Sequence, residues 1–345
     1  MIMLAPPTPI GLDLGRRHMR AVQMAHGRVI AASTVLRRAP QQPIDADDLT
    51  RLADVLYRQG FLGRRVVLAA PREAQFATVL QLPPRTPDVP IAQIARSEVA
   101  RAQDCDPGTF EMAAWDIPAP ARAGKGTHML AAGCKHADTQ PLLNACDAAG
   151  LDVVAIDIAA VALARATSHG AGDDAGMTAL LDLDWTAGLL ALRCGDAIIY
   201  ERTVADIGLW HLHAQIEQQL NCDLDVAGYL LDAAARGSAG DDADAAYVGK
   251  ASRIIDRFVQ LIVDEVRASL DFAVHQYPDR PVRTLLLTGE GAALPMLCDR
   301  LHDATHVEAR RVAPADIARC DDAVLSRCAD AQLTLAAGLA QWRAA

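Results

Sequence analysis

The feature that most constrains the fold is an internal repeat of three short strands. Residues 10–37 read IGLDLGRRHMRAVQMAHGRVIAASTVLR, and residues 179–205 read ALLDLDWTAGLLALRCGDAIIYERTVA. Each copy opens with an apolar strand that ends in Asp-Leu, turns into a second strand, and turns again at Gly27 or Gly195 into a third. A segment with helical spacing of apolar residues and a later apolar strand follow in both copies. This layout predicts a duplicated α/β domain.

Composition and charge exclude several classes of function. The chain has 345 residues, of which 51% are hydrophobic, and a formal net charge of −10. An acidic protein is a poor match for nucleic acid or anionic lipid, so we expect no nucleic-acid partner and no direct membrane insertion. The eight cysteines form no CxxC pair, the N-terminus has no basic start, and no apolar run approaches the ~20 residues that span a bilayer. These features predict a cytoplasmic protein.

Proline-rich and polar segments suggest the domain boundaries. We expect a first domain at 8–166 that contains a small α+β insert at about 83–153, which begins in the stretch LPPRTPDVP and continues with an amphipathic helix and a hairpin. A second domain is expected at 177–328. A terminal helix within 329–345 is expected to pack back on the first domain.

The duplication itself suggests where a ligand binds. Two domains with equivalent hairpin turns can face each other across a cleft, and such clefts are common ligand sites. Backbone N–H groups in the turns can point at an anion, and the carboxylates of Asp13 and Asp182 at the strand ends can hold a hydrated Mg²⁺.

Three motifs in this order give the chain a family resemblance. The first Asp-Leu-Gly hairpin, the second Asp-containing hairpin and the stretch LLLTGEGAALPML resemble the two phosphate motifs and the adenosine motif of the actin-like ATPase superfamily. Within that superfamily, LQLPPRTPDVPIAQIARSEVARAQ and AAGLDVVAIDIAAVALARA resemble the PilM proteins of type IV pilus assembly. The likeness runs from about residue 9 to residue 340.

The resemblance implies a duplicated actin-like (ribonuclease H-like) two-domain fold with a small inserted subdomain. It implies that ATP binds between the domains, with Mg²⁺ held through water by Asp13 and Asp182. It also implies a set of nucleotide-contacting residues: Asp13, Gly15, Arg16, Asp182, Asp184, Gly289, Glu290 and Gly291.

The same resemblance implies a partner and a role. PilM-like proteins are cytoplasmic platforms in the building of a type IV pilus or a related MSHA-type machine. The implied partner is the N-terminal cytoplasmic tail of a PilN-like inner-membrane protein, which would recruit the chain to the membrane. Self-association of the chain stays open.

Each motif departs from the family pattern, and each departure leaves two interpretations. Arg16 and its basic neighbours replace small hydroxyl residues, either as phosphate ligands or as a solvated turn. Asp184 stands where the second motif has glycine, either as an extra Mg²⁺ ligand or as the sign of a weakened site, since a carboxylate repels phosphate. Glu290 separates two glycines of the adenosine motif, which could instead form a plain strand-to-helix turn. Glu98 is interpreted as a structural residue rather than a catalytic base.

These departures favour a scaffold with weak or no ATP hydrolysis. A small-metabolite kinase of the same superfamily is the first alternative, but it needs an intact phosphate cradle. A division filament protein of the FtsA kind is the second, but it calls for an amphipathic C-terminal membrane helix. A secretion platform of the GspL kind would carry a transmembrane helix after the second domain.

Overall fold

The computed structural model describes residues 7–40, 42–168, 176–236 and 242–343. Their strands form three separate sheets of six, five and three strands. Among these residues, no helix combines the length and the hydropathy that a bilayer crossing requires.

The six-stranded sheet belongs to the first copy of the repeat. Its order is β14-β3-β2-β1-β4-β8, in which β1 and β2 form one antiparallel hairpin and β4 and β8 add in parallel. The strands are β1 (Ile10–Leu14), β2 (His18–Ala25), β3 (Arg28–Leu36), β4 (Arg65–Ala69), β8 (Asp152–Asp157) and β14 (Arg319–Cys320).

The five-stranded sheet repeats that arrangement. Its order is β11-β10-β9-β12-β13, which matches β3-β2-β1-β4-β8 strand for strand, and β9 again pairs antiparallel with β10 and parallel with β12. The strands are β9 (Met177–Leu183), β10 (Gly188–Cys194), β11 (Ala197–Val204), β12 (Val282–Thr288) and β13 (Glu308–Arg311). The predicted duplication of an α/β unit is therefore confirmed.

The three-stranded sheet forms the insert. Its order is β5-β7-β6, from β5 (Gln75–Leu82), β6 (Phe110–Asp116) and β7 (Thr127–Lys135), with all pairs antiparallel. One face of this sheet is covered by the amphipathic helix α2 (Ile91–Ala102), whose Ala95 and Val99 pack against Phe110 and Leu80 in a small apolar core.

The observed sheets shift the expected boundaries. The insert was expected at about 83–153, but its sheet already begins with β5, and β8 lies in the six-stranded sheet. The strand β5 pairs along its whole length with β7, which ties it to the insert, while β8 completes the first sheet beside β4. The second domain was expected to run to residue 328, yet β14 pairs with β3, so the chain has returned to the first sheet by Arg319.

Helices surround the three sheets. The helix α1 (Ala46–Arg58) begins after Asp45, whose side chain caps the acidic first turn by accepting from the Asp48 amide. The helix α11 (Thr334–Ala340) contacts β1 and β2 of the first sheet. It also contacts the helix α4 (Ala159–Thr167), whose Arg165 donates to the Gly338 carbonyl at 2.8 Å. The other helices are α3 (His136–Ala148), α5 (Leu209–Leu220), α6 (Leu224–Arg236), α7 (Asp242–Gln276), α8 (Leu297–Thr305), α9 (Pro314–Ile317) and α10 (Leu325–Cys328). Short 3-10 turns lie at Arg72–Ala74, Ala205–Ile207, Glu290–Ala293 and Ala331–Leu333.

The apolar core joins the two halves beneath the cleft. The largest cluster of buried side chains contains the second sheet and its helices, but it also contains Leu163 of α4, Leu335 of α11 and Leu130 of the insert. Buried aliphatic surface stabilises a domain by roughly 25 cal/mol per Å². The two halves of the molecule therefore share one continuous layer of buried apolar side chains.

Candidate functional site

The centre of the cleft is a buried arginine on the first hairpin. The register of β1 and β2 places Arg20 directly opposite Asp13. Arg20 is only 1% exposed, and it is among the largest fully buried side chains of the molecule. A buried guanidinium is costly unless it is paired and hydrogen-bonded, so its partners define the chemistry of this region.

Three carboxylates from three motifs converge on this guanidinium. Arg20 Nη1 donates to Asp13 Oδ2 at 3.0 Å and lies 3.0 Å from Asp184 Oδ1, and Nη2 donates to Glu290 Oε2 at 3.2 Å. The remaining nitrogen, Nε, donates to Gln332 Oε1 at 3.2 Å. We call Arg20, Asp13, Asp184 and Glu290 the Arg20 cluster.

The carboxylates of the cluster respond differently to their surroundings. Burial raises the pKa of Asp13 above its ordinary value, and the Asp184 charge adds to this shift while Arg20 opposes it. Burial of Glu290 also disfavours its charge, but the hydrogen bond from His18 and the charges of His18, Arg20 and Arg17 outweigh burial and lower its pKa to about 2. Burial acts against the charge of Arg20, but the three carboxylates raise its pKa above the ordinary value, so it stays a cation.

A second arginine joins the two domains beside the cluster. Arg72, in the 3-10 turn after β4, donates through Nη2 to Asp182 at the end of β9. The other Asp182 oxygen, Oδ1, accepts from the Thr288 hydroxyl at 2.6 Å. Arg72 Nη1 is buried without a hydrogen-bond partner, as is Glu201 Oε2 on β11. Burial raises the pKa of Glu201 to about 7, although the charge of Arg72 opposes the shift.

The basic turn of the first hairpin also reaches across the cleft. Arg17 donates to Glu290 Oε1 at 3.2 Å, lies 3.1 Å from His213 Nε2, and stacks its guanidinium 4.7 Å from the centre of the Trp185 ring. His18 Nδ1 is 2.9 Å from Glu290 Oε2. The half-buried Arg16 pairs with the exposed Glu73 at 3.0 Å. The cations of this turn therefore have protein partners in the described structure.

Two cavities lie on either side of the Arg20 cluster. The first, of about 240 Å³, is lined by Asp13, Gly15, Arg16, Arg72 and Asp184 together with residues of α3, α4 and α11. The second, of about 430 Å³, is lined by Arg17, His213, Tyr229, Glu290 and Leu294 among others. A ligand that filled both cavities would cross the cluster, and the two together fall within the range of small-molecule sites.

Five of the eight predicted site residues line one of the two cavities. Asp13, Gly15, Arg16 and Asp184 line the first cavity, and Glu290 lines the second. Asp182 is 2% exposed and is not among the described lining residues of either cavity. The carboxylates of Asp13 and Asp182 are each paired with an arginine, so their joint coordination of Mg²⁺ stays a prediction.

The glycines of the third motif are explained by packing. Gly289 has a left-handed φ of +82°, and a Cβ there would lie 2.4 Å from the Leu183 carbonyl oxygen. A Cβ on Gly291 would lie 2.7 Å from the Leu183 Cβ. Both glycines therefore let this turn pack directly against the second hairpin, and an additional contact of Gly289 and Gly291 with a nucleotide stays a prediction.

Two functional residues were missed by the sequence interpretation. Arg20 could have been found, because a tight hairpin after Asp13 places residue 20 opposite residue 13. Arg72 carries no such signal, since its partner is 110 positions away along the chain. Only the folded chain brings Arg72 and Asp182 together.

The insert contains a separate groove. The insert groove lies between α2 and β6 and has a volume of about 650 Å³. Its apolar lining residues are Ile91, Ala92, Ala95, Met112, Ala114, Trp115 and Met129, and its polar ones are Arg85, Gln93, Arg96 and Asp116. Among the described strands β6 pairs with β7 alone, so its outer edge has no strand partner, although the Phe110 carbonyl accepts from Arg96. An apolar groove beside an unpaired strand edge is suited to an extended peptide.

The fold and the cleft define an actin-like protein of two duplicated domains. Ethanolamine utilization protein EutJ from Carboxydothermus hydrogenoformans is similar over 99% of this chain and 91% of its own, with 14% identity and a TM-score of 0.54. MreB 5 of Spiroplasma citri bound to AMPPNP is similar over 97% of this chain and 95% of its own, with 12% identity and a TM-score of 0.54. The predicted actin-like fold class is confirmed.

Within this class the chain belongs to the type IV pilus assembly protein PilM family, whose model matches residues 116–343. The structure of a PilM-PilN type IV pilus biogenesis complex is similar over 96% of this chain and 97% of that chain, with 20% identity and a TM-score of 0.78. No curated protein sequence matches the chain. The predicted family is therefore confirmed.

Proposed function

We propose that this protein is a cytoplasmic scaffold of type IV pilus assembly that binds the N-terminal tail of a PilN-like inner-membrane protein. The observation that carries the proposal is membership of the PilM family together with the likeness to a PilM-PilN complex over nearly the whole chain. The partner tail recruits the scaffold to the inner membrane. Self-association of the scaffold remains a separate expectation.

The insert groove is the docking site in this proposal. Its floor is apolar, through side chains such as Met112, Ala114 and Met129. The free edge of β6 supplies main-chain hydrogen bonds to an extended segment, and the side-chain pockets supply specificity. A tail that is disordered when free loses entropy on binding, so a micromolar affinity (a free energy of about −8 kcal/mol) is expected.

A peptide titration with a matched pair of variants tests this site. Ala92 is exposed and lines the groove, so Ala92→Trp fills it with a ring, whereas Ser97→Trp adds the same ring to an exposed position of α2 outside the described lining. We expect Ala92→Trp to weaken binding of a fluorescent PilN-like tail at least tenfold, and Ser97→Trp to leave it within about twofold, as measured by anisotropy. Equal effects of the two variants would remove the groove from the proposal.

Cell fractionation tests the recruitment step. The scaffold is expected at the membrane when the full-length partner is present, and in the soluble fraction when the partner lacks its cytoplasmic tail. Membrane association that persists without the tail would contradict recruitment by this route.

The cleft is proposed as a site for a nucleotide that aids assembly. Its residues fit a phosphate-bearing ligand in one respect, because the cationic residues Arg16 and Arg72 line the first cavity. Asp184 borders the same cavity, and its carboxylate repels phosphate. We therefore propose weak or no hydrolysis, with ATP turnover well below the ~1–100 per second of ordinary kinases. If a steady-state assay gives ATP turnover in that range, and Asp13→Ala abolishes it, the protein is an enzyme rather than a scaffold.

A further inference from the structure

The Arg20 cluster gathers three carboxylates around an arginine rather than around a metal ion. Oxygens of Asp13, Asp184 and Glu290 lie 3.0, 3.0 and 3.2 Å from the nitrogens of one guanidinium. The three carboxylates come from β1, from the residue after β9 and from the turn after β12, so they belong to both domains. Convergence of several carboxylates from separate elements is how proteins hold hard divalent cations.

The guanidinium leaves no room for such an ion. All three nitrogens of Arg20 have acceptors, and its side chain is 2% exposed. Within the described part of the chain, no group of three or more His, Cys, Asp or Glu side chains is arranged to hold a metal. Since arginine keeps its charge in proteins, a divalent ion here would meet a fixed positive charge at hydrogen-bond distance from each of its ligands.

We infer that Arg20 is the resident cation of the cleft and replaces Mg²⁺ there. The inference deepens the proposed nucleotide site: a phosphate-bearing ligand binds in the cleft without a metal, through guanidinium groups and backbone amides. Arg16 and Arg72 line the first cavity and are the guanidinium groups available to such a ligand. The claim about the metal does not depend on the nucleotide, so each part has its own test.

The metal is tested first, with Mn²⁺ as a spectroscopic probe for Mg²⁺. In electron paramagnetic resonance titrations of the full chain we expect no Mn²⁺ bound by the wild type, and no change in melting temperature when Mg²⁺ replaces EDTA. Arg20→Leu, which copies the second hairpin's Leu189 opposite Asp182, should bind one Mn²⁺ and be restabilised by millimolar Mg²⁺. Adding Asp184→Asn to Arg20→Leu should abolish that binding.

Two further variants keep this test decisive. Arg16→Leu removes a cation that lines the same cavity but lies outside the cluster, and it should gain no metal. Arg20→Lys keeps a cation in the cluster, so it should fold and bind no Mn²⁺ even if Arg20→Leu does not fold. Mn²⁺ bound by the wild type and lost in Asp184→Asn would overturn the inference, as would a folded Arg20→Leu that binds none.

The nucleotide is tested by calorimetric titration of ATP into the wild type with EDTA and with Mg²⁺. We expect dissociation constants within about twofold of each other. Affinity tenfold or more higher with Mg²⁺ would overturn the inference. If ATP binds under neither condition, the proposed nucleotide site fails, while the Mn²⁺ titration still decides whether Arg20 replaces the metal.

Discussion

The two hairpins share one backbone plan but neutralise their buried aspartates in different ways. In the first copy Asp13 faces Arg20 across the strand pair, so the cation lies within the hairpin. In the second copy Asp182 faces Leu189 and receives its cation from Arg72 of the other domain, together with the Thr288 hydroxyl. The first copy thus neutralises its aspartate with an arginine of the same hairpin, whereas the second copy depends on an arginine of the other domain.

A second difference lies two residues further on. Gly15 in the first copy corresponds to Asp184 in the second, and the two meet: a Cβ on Gly15 would lie 3.5 Å from Asp184 Oδ2. The first turn supplies cations to the cleft and the second supplies a carboxylate. Divergence of a duplicated turn has therefore built an interdomain ion cluster, which makes the two copies complementary rather than equivalent.

The largest test of this comparison makes the first hairpin like the second. Arg20→Leu leaves the buried carboxylates of Asp13 and Asp184, and the partly exposed Glu290, without their shared cation. Breaking a buried pair in this way costs about 3–5 kcal/mol. Urea denaturation should show that loss in the free energy of unfolding. Arg16→Leu, in which an exposed pair is lost, should cost about 0–1 kcal/mol. A loss below about 1 kcal/mol for Arg20→Leu would contradict the central position of this residue.

Removing the cation of the second hairpin should have a smaller effect. Arg72→Met leaves Asp182 buried, but the Thr288 hydroxyl still donates to it, so we expect a loss of about 2–3 kcal/mol. A double-mutant cycle with Asp182→Asn isolates the pair, and the combined variant should lose less than the sum of the single variants. Additive losses would mean that the two side chains do not interact.

The pH dependence of stability should reveal His213, which packs against the basic turn of the first hairpin. Burial lowers the pKa of His213 to about 4, and the charge of Arg17 adds to the shift. Between about pH 6.5 and 4 the unfolded chain takes up a proton that the folded chain does not, so stability falls with decreasing pH by up to about 1.4 kcal/mol per pH unit. His213→Gln should flatten this slope in urea titrations. The exposed His275→Gln should leave it unchanged.

Glu201, beside the cation of the second hairpin, should give a pH dependence of stability opposite in sign to that of His213. Burial raises its pKa to about 7 although Arg72 opposes the shift, so the folded chain holds a proton that the unfolded chain has released above about pH 4.5. Stability therefore falls as the pH rises from about 4.5 to 7. Glu201→Gln keeps the shape without the charge and should remove this loss. If stability falls more steeply with rising pH in Glu201→Gln than in the wild type, Glu201 is not the group that causes the loss.

The sequence predicted the fold well because local patterns repeat. The strand-turn-strand pattern around Asp13 recurs around Asp182, and the observed strand orders of the two sheets match. The ends of the insert were less predictable, because β5 and β8 look alike as short apolar strands and only their pairing partners differ. Pairing between strands far apart in sequence leaves little local trace.

The candidate site was predictable only in part. The motif residues Asp13, Gly15 and Asp184 do line one cavity, because each follows from its place at a strand end. The arginines that pair with the motif carboxylates were not predicted as partners, since Arg72 meets Asp182 only after both domains have folded. Charge pairing across a domain interface depends on tertiary geometry, which spacing along a chain does not encode.

One side chain of the insert belongs to two regions at once. Trp115 lines the insert groove, and its indole Nε1 donates at 2.7 Å to the Ile198 carbonyl on the edge strand of the second domain. A peptide that displaced this indole would loosen the second domain, and a cleft ligand that moved the second domain would displace the indole. Thermodynamic linkage then requires the two ligands to change each other's affinity by the same factor. A tail that moves Trp115 on docking would therefore be coupled through this hydrogen bond to any ligand that moves β11.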